Sequence, residues 1–180
     1  MVTAAELLSL AAFREGRHAQ AFPSFGSERM GAPVVAFCRF DRRPIRNREP
    51  VAAPDALIVG DPTLIHQVAL FEGLQADGYV VLNTSKDPAE LGLGDLVDRL
   101  AGGRLVAVAA SELAREHVGR PLPNAALLGA FAALTGQVSL ESVVAAIEEK
   151  FPARVAAGNA AAARAAAAAV PGRLAEAAHA

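Results

Sequence analysis

Hydrophobic positions follow two rhythms along the chain. Leu7, Leu10 and Ala11 recur at helical spacing in Thr3–Gly16, where Thr3 and Glu6 fit a capping box and Gly16 suits a stop. His18–Phe22 then reads as a short strand and Val34–Phe40 as a strongly apolar one. Between them runs a polar loop, Pro23 to Pro33, in which Gly26 and Gly31 bracket Ser27, Glu28 and Arg29, with Ser24 at its start. Such a loop is stiff at its ends, permissive in its middle and rich in hydrogen-bonding groups. Three short continuous apolar runs follow: Ala56–Gly60, Gly78–Leu82 and Arg104–Ala109. The first leads through Gly60-Asp61-Pro62-Thr63 into a helix expected to reach about Leu74, the second into Asn83-Thr84-Ser85-Lys86, the third through Ser111 as cap into another helix. Runs of this kind separated by helices predict a parallel sheet buried on both faces. Ligands of open α/β sheets sit at the carboxyl ends of the strands, where these small and polar residues gather.

The remainder reads as helical: Asn124–Thr135, then Ser139–Lys150 with Ser139 as cap, then an alanine-rich stretch from Pro152 that Pro171-Gly172 should end. The chain divides into an α/β domain over 1–150 and an Ala-rich helical tail over 151–180. Alanine favours helix but has little bulk for a core, so the tail is expected to lie against another subunit or to fray.

Composition narrows the function. At 180 residues one domain with a substantial core is expected. Hydrophobic content of 53% against 20% charged residues suggests a surface partly covered by partners. No apolar run reaches the roughly 18 residues that a membrane helix needs. Acidic Glu6 in a first segment without basic residues argues against a secretory signal, so a cytoplasmic location is expected. A net charge of −2 speaks against general nucleic-acid binding. Cys38 is alone, which excludes an internal disulfide or a cysteine metal cluster, and its apolar strand marks it as an inert thiol. His18, His66, His117 and His179 lack metal-ligand spacing, and neither a Walker loop, a G-x-G-x-x-G nor a nucleophilic triad is present. Arg39, Arg42, Arg43, Arg46 and Arg48 crowd into ten residues of a chain with two lysines. They read either as a solvated turn between two strands or as a site for an anion or an acidic partner. These residues describe a ligand-binding α/β shape without the tools of catalysis, hence a binding or assembly subunit.

The run Gln20-Ala21-Phe22-Pro23-Ser24-Phe25-Gly26-Ser27-Glu28-Arg29-Met30-Gly31-Ala32-Pro33-Val34 resembles the gamma subunit, or gamma domain, of the 2-oxoacid:ferredoxin oxidoreductases, such as pyruvate synthase. Further pieces follow in the family's order: an arginine-containing hairpin, Asp61-Pro62-Thr63-Leu64, Glu72-Gly73-Leu74, Asn83-Thr84-Ser85-Lys86, and Pro123-Asn124 ahead of Leu128-Gly129-Ala130. The resemblance covers about residues 1–150. It departs from the family at the amino end, where members carry a strand and a G-x-G-G-Q-G loop before the helix that starts here near Val2. On that ground phosphate binding at such a loop is not expected, and the sheet should lack a central strand, leaving its neighbours with unpaired backbone.

The resemblance implies a Rossmann-like, mostly parallel α/β sheet flanked by helices, with an Arg-rich β-hairpin and a helical, Ala-rich C-terminus. It implies membership of an enzyme that oxidatively decarboxylates a 2-oxoacid and passes the acyl group to coenzyme A. Thiamine diphosphate, Mg and 4Fe-4S clusters would belong to partner subunits: alpha, beta and an iron–sulfur electron-transfer subunit. No cofactor is expected on this chain alone, and no nucleic acid or membrane partner. By position Ser24, Gly26, Glu28 and Arg29 should face the active-site entrance, Asn83, Thr84, Ser85 and Lys86 the adjacent strand end, and Asn124 a helix start suited to an anion. A subunit contact for Glu28 and Arg29 is the alternative. Two functions compete: a subunit that helps bind coenzyme A and close the active site, and an architectural one that docks the electron-transfer subunits and binds no small molecule. A free-standing Rossmann-like binder stands third.

Overall fold

A computed structural model describes residues 1–24, 33–100 and 102–171. Helix α1 (Val2–Arg14) leads into a hairpin of β1 (His18–Ser24) and β2 (Val35–Asp41). An irregular connection reaches β3 (Ala56–Val59), which is followed by β4 (Tyr79–Asn83), α2 (Gly94–Arg99), β5 (Leu105–Val108) and α3 (Ala110–Val118). Helices α4 (Asn124–Thr135), α5 (Leu140–Lys150) and α6 (Ala153–Ala169) complete the described chain.

Strands β3, β4 and β5 form a parallel sheet in that order, with Val80 level with both Leu57 and Leu105. Central β4 shows the alternation a pleat demands. Val80 and Leu82 point to one face, where Val59, Leu93, Leu96 and Leu100 cover them. Val81 points to the other, into the main core of α1, α4, α5 and α6. With all three side chains fully buried, this is the two-faced parallel sheet expected from the continuous apolar runs.

Helix α4 fills the middle of the main core. Its residues from Ala125 to Ala132 are all buried, leaving no polar face. Helix α6 lies against it so closely that a Cβ on Gly129 would collide with the Ala163 carbonyl. Ala156, Ala160, Ala162, Ala163 and Ala166 of α6 are buried in the same packing. Over Ala153–Ala169 the alanine-rich segment packs on its own chain, because small side chains let two backbones approach. A Cβ on Gly158 would likewise sit 2.5 Å from the His117 carbonyl of α3.

The predicted helix starts need three corrections. Thr3 is not a cap: α1 begins at Val2 after Met1, with no side-chain cap bond, and Glu6 pairs with Lys150 of α5 at 2.8 Å. Gly16 does end the turn, at φ +78°. The helix expected from Pro62 to about Leu74 is a 3-10 turn, Pro62–His66, followed by irregular turns. Ile65, Leu70 and Phe71 pin those turns to the sheet, and Gly73, at φ +76°, presses against the Ala52 backbone where a Cβ would not fit. Ser111 lies inside α3 rather than capping it. The hairpin is made of β1 and β2, and of the arginine group it carries Arg39 alone; Arg42, Arg43, Arg46 and Arg48 lie in the connection to β3.

A clasp joins α1 to the start of α5. The Glu15 carboxylate accepts a 2.7 Å hydrogen bond from the Ser139 N–H and pairs with Arg17 at 2.8 Å. Ser139 caps α5 as expected, accepting from the Ser142 N–H at 3.1 Å. Partial burial pushes the Glu15 carboxyl up, but hydrogen bonds from Ser139, Ser142 and Arg17 outweigh it and hold the group below the usual range. A lowered folded-state value stabilises above the unfolded value and is lost as the pH falls through the folded one. Glu15→Gln should thus destabilise the chain near neutral pH, and the difference should shrink in denaturant titrations as the pH falls below the usual carboxylate range.

Gly129→Ala should cost about 1–3 kcal/mol by overpacking, with a fall in Tm of about 2–4 °C per kcal/mol. Gly94→Ala, where an added Cβ meets nothing within 4 Å, is the control and should stay within about 0.5 kcal/mol of the parent in thermal unfolding.

Candidate functional site

The carboxyl ends of β3, β4 and β5 meet around one carboxamide. Asn83, the last residue of β4, is only 9% exposed. Its Nδ2 donates to the Gly60 carbonyl after β3 and to Ser111 Oγ in α3, both at 2.8 Å. Its Oδ1 accepts from the Ser111 N–H at 3.0 Å. Asn83 thus does from a neighbouring strand what the sequence suggested Ser111 does for itself: it satisfies a first-turn donor of α3. With donors and acceptor engaged, it ties together the walls of the cleft that it also lines.

Past Asn83 the chain turns through Thr84, Ser85 and Lys86. The Thr84 N–H donates to the Val108 carbonyl at 3.0 Å, and Thr84 Oγ1 accepts from the Lys86 N–H at 3.1 Å. These bonds shape the rim of an open cleft of about 280 Å³, lined by Asn83, Thr84, Ser85 and Lys86 with Pro62, Ser111, Glu112 and Arg115. Ser85, Lys86 and Arg115 are exposed. Two cations, one carboxylate, three hydroxyls and the start of α3 thereby face one hollow, and the excess positive charge suits an anionic oxygen group. On its β3 side, Asp61 accepts from the Thr63 hydroxyl at 2.7 Å and from its N–H at 2.9 Å, bonds that keep the carboxyl below its usual range.

Of the other expected residues, Ser24 and Asn124 are described and lie outside this cleft. Ser24 ends β1 opposite Val35 and does not line the cleft. Gly26, Glu28 and Arg29 lie outside the described residues. Asn124 is half-buried in the first turn of α4 and is not among the cleft residues, although Leu127 of that helix reaches toward Gly60. Arg115 and Glu112 went unnoticed in the sequence. The available signal was spacing: Arg115 stands four residues after Ser111, on the same helical side.

A larger hollow of about 370 Å³ lies by Arg17, Phe40, Asp41 and Gln137. Its Arg17 guanidinium is already engaged by Glu15, by the Gln137 carbonyl and, 5.0 Å away, by the Phe40 ring, so it is a packing seam. Among the described residues no three His, Cys, Asp or Glu side chains gather to hold a metal. Cys38 faces the core, and burial pushes its thiol up to about 12, unsuited to ligating a cluster at neutral pH.

A parallel sheet covered by helices, with a polar hollow at the carboxyl ends of its strands, defines a Rossmann-like α/β class. The chain belongs to the pyruvate ferredoxin/flavodoxin oxidoreductase family, whose model matches residues 1–169, and is one of its gamma-type members. It is 46% identical over 165 residues to pyruvate synthase subunit PorC of Methanothermobacter thermautotrophicus, covering 91% of this chain and 85% of that one. It is 44% identical to the common subunit gamma of the pyruvate/ketoisovalerate oxidoreductases of Pyrococcus abyssi, over 91% of this chain and 86% of that one. The crystal structure of pyruvate oxidoreductase subunit PORC from Thermotoga maritima superposes with a TM-score of 0.73 at 35% identity, covering 93% and 88% of the two chains.

Asn83→Ala should leave the Gly60 carbonyl and the Ser111 N–H without these partners, costing about 1–3 kcal/mol for each group left buried. Denaturant unfolding checks the total, and faster hydrogen exchange at the Ser111 amide checks the location.

Proposed function

We propose that the chain is the gamma subunit of a multi-subunit oxidoreductase that converts a 2-oxoacid to an acyl-coenzyme A, and that its carboxyl-edge cleft holds an anionic part of coenzyme A. The 2-oxoacid is of the class carried in the relatives' names, pyruvate or ketoisovalerate. Decarboxylation on thiamine diphosphate with Mg, and electron transfer through 4Fe-4S clusters, belong to the alpha, beta and iron–sulfur partner subunits. The observation that carries the coenzyme A reading is that Lys86 and Arg115 come from different elements yet line one hollow with Thr84 and Ser85. In this reading Lys86 and Arg115 neutralise phosphate oxygens, the hydroxyls orient them, and Asn83 keeps the two walls together. Ser24, Gly26, Glu28 and Arg29 act at the active-site entrance, and Asn124 serves an anion at the start of α4, roles that rest on the resemblance.

The architectural reading has its own support: the cleft is open, and Lys86 and Arg115 are exposed. Steady-state kinetics of the assembled complex separates the two. Removing a charged hydrogen bond costs about 1.5–3 kcal/mol, so Lys86→Ala and Arg115→Ala should each raise KM for coenzyme A about 10- to 100-fold. KM for the 2-oxoacid should not change. Parental KM for coenzyme A in both variants would leave the architectural role.

A further inference from the structure

The arginine cluster has no part in the cleft, and the hairpin beside it has two unlike faces. Ala19, Cys38 and Phe40 point from one face into the core beneath α1. The register puts Gln20 level with Arg39, Phe22 with Phe37 and Ser24 with Val35 on the opposite face. Of these rungs only the first is roofed by the connection to β3: Gln20 Nε2 donates to the Asn47 carbonyl at 3.0 Å, and Arg39 Nη2 to the Pro50 carbonyl at 3.3 Å. Beside that roof the half-buried Phe22 and Phe37 rings meet at a tilt of 44° with centroids 5.4 Å apart, and Val35 is 44% and Val34 63% exposed. The Arg39 guanidinium lies 5.7 Å over the Phe22 ring, and its Nη1 is buried with no acceptor among the described residues.

The roofing segment carries Arg42, Arg43, Arg46 and Arg48, all exposed and none ion-paired among the described residues. Asp41 and Glu49 lie in the same stretch but form no ion pair with these arginines, so the segment keeps two positive charges in excess in a chain of net charge −2. An aromatic and aliphatic centre edged by arginines has the composition of an interface, where aromatic residues and Arg are enriched and Lys is depleted.

We propose that this outer face of the hairpin is where the chain docks onto another subunit of the oxidoreductase complex, the partner presenting an apolar patch edged by carboxylates. The inference rests on the multi-subunit reading above but not on coenzyme A binding. Phe22 and Phe37 supply the buried anchor. The arginines steer and orient the encounter, which makes association sensitive to salt.

The test is native mass spectrometry and size-exclusion chromatography of the co-expressed complex. Variants are Phe37→Asp at the centre and the double substitution Arg42→Glu, Arg46→Glu at the rim. Arg42 and Arg46 are exposed, so the rim variant should fold like the parent by circular dichroism and should dissociate from the complex at least 10-fold more readily. Association of the parent should weaken between about 50 and 500 mM salt, and that dependence should flatten in the rim variant. Lys86→Ala must assemble like the parent, so failure of the coenzyme A reading and failure of this one are told apart. Retention of both hairpin variants at parental affinity overturns the proposal. So does a homodimer of the isolated chain that the same variants break, since the occupant would then be a second copy.

Discussion

Helix α4 has no polar side, and the architecture follows from enclosing it. An amphipathic helix needs one apolar neighbour, whereas a helix buried from Ala125 to Ala132 must be surrounded. The sheet takes one flank through Val81, Val106 and Val108, and α1 another through Leu7 and Leu8. The remaining flank is narrow, because Gly129 brings α4 against the Ala163 backbone. Bulky side chains cannot enter there, so α6 is built from alanine. An alanine helix has little apolar area of its own to bury; close approach compensates through dispersion contacts along two nearly touching backbones.

That enclosure also fixes where the polar hollow can lie. With both faces of the sheet covered, the strands meet solvent at their ends. At the carboxyl ends the backbone groups must find partners in turns, helix starts or side chains. Asn83 meets that requirement for β3, β4 and α3 together through hydrogen bonds to Gly60 and Ser111. The rim residues Thr84, Ser85 and Lys86 inherit their positions from it. A short polar side chain after an apolar strand suits both holding two walls together and lining a cleft, and Asn83 does both.

Legibility of the sequence varied with the range of the interaction. Strands β3, β4 and β5 were readable because covering a sheet on both faces writes continuous apolar runs, and α5 because Ser139 caps it locally. The stretch after Pro62 was misread as a helix: its apolar spacing also suits irregular turns pinned to a sheet, and the obstruction at Gly73 comes from the distant Ala52 backbone. Helix α6 was misplaced for the same reason, since its partner Gly129 is more than twenty residues away. In the cleft Lys86 was found because it directly follows a strand, while Arg115 was missed because only the fold brings α3 beside it.

Charge is distributed in keeping with a subunit rather than a solitary protein. The ion pairs of the described fold, Arg14 with Glu149, Lys150 with Glu6 and Arg17 with Glu15, all lie along α1, its carboxyl end and α5. Exposed pairs of this kind contribute at most about 1 kcal/mol each, so they trim the surface without deciding the fold. Arginines 42, 43, 46 and 48 stand apart from that arrangement, next to the aromatic face of the hairpin. Asp41 and Glu49 share this stretch, yet neither pairs with an arginine among the described residues, so the four guanidinium groups stay exposed and in excess. Against a carboxylate-bearing neighbour the same groups form planar, two-pronged hydrogen bonds at modest desolvation cost. A segment with this excess of exposed guanidinium groups is chemically suited to a carboxylate-bearing surface.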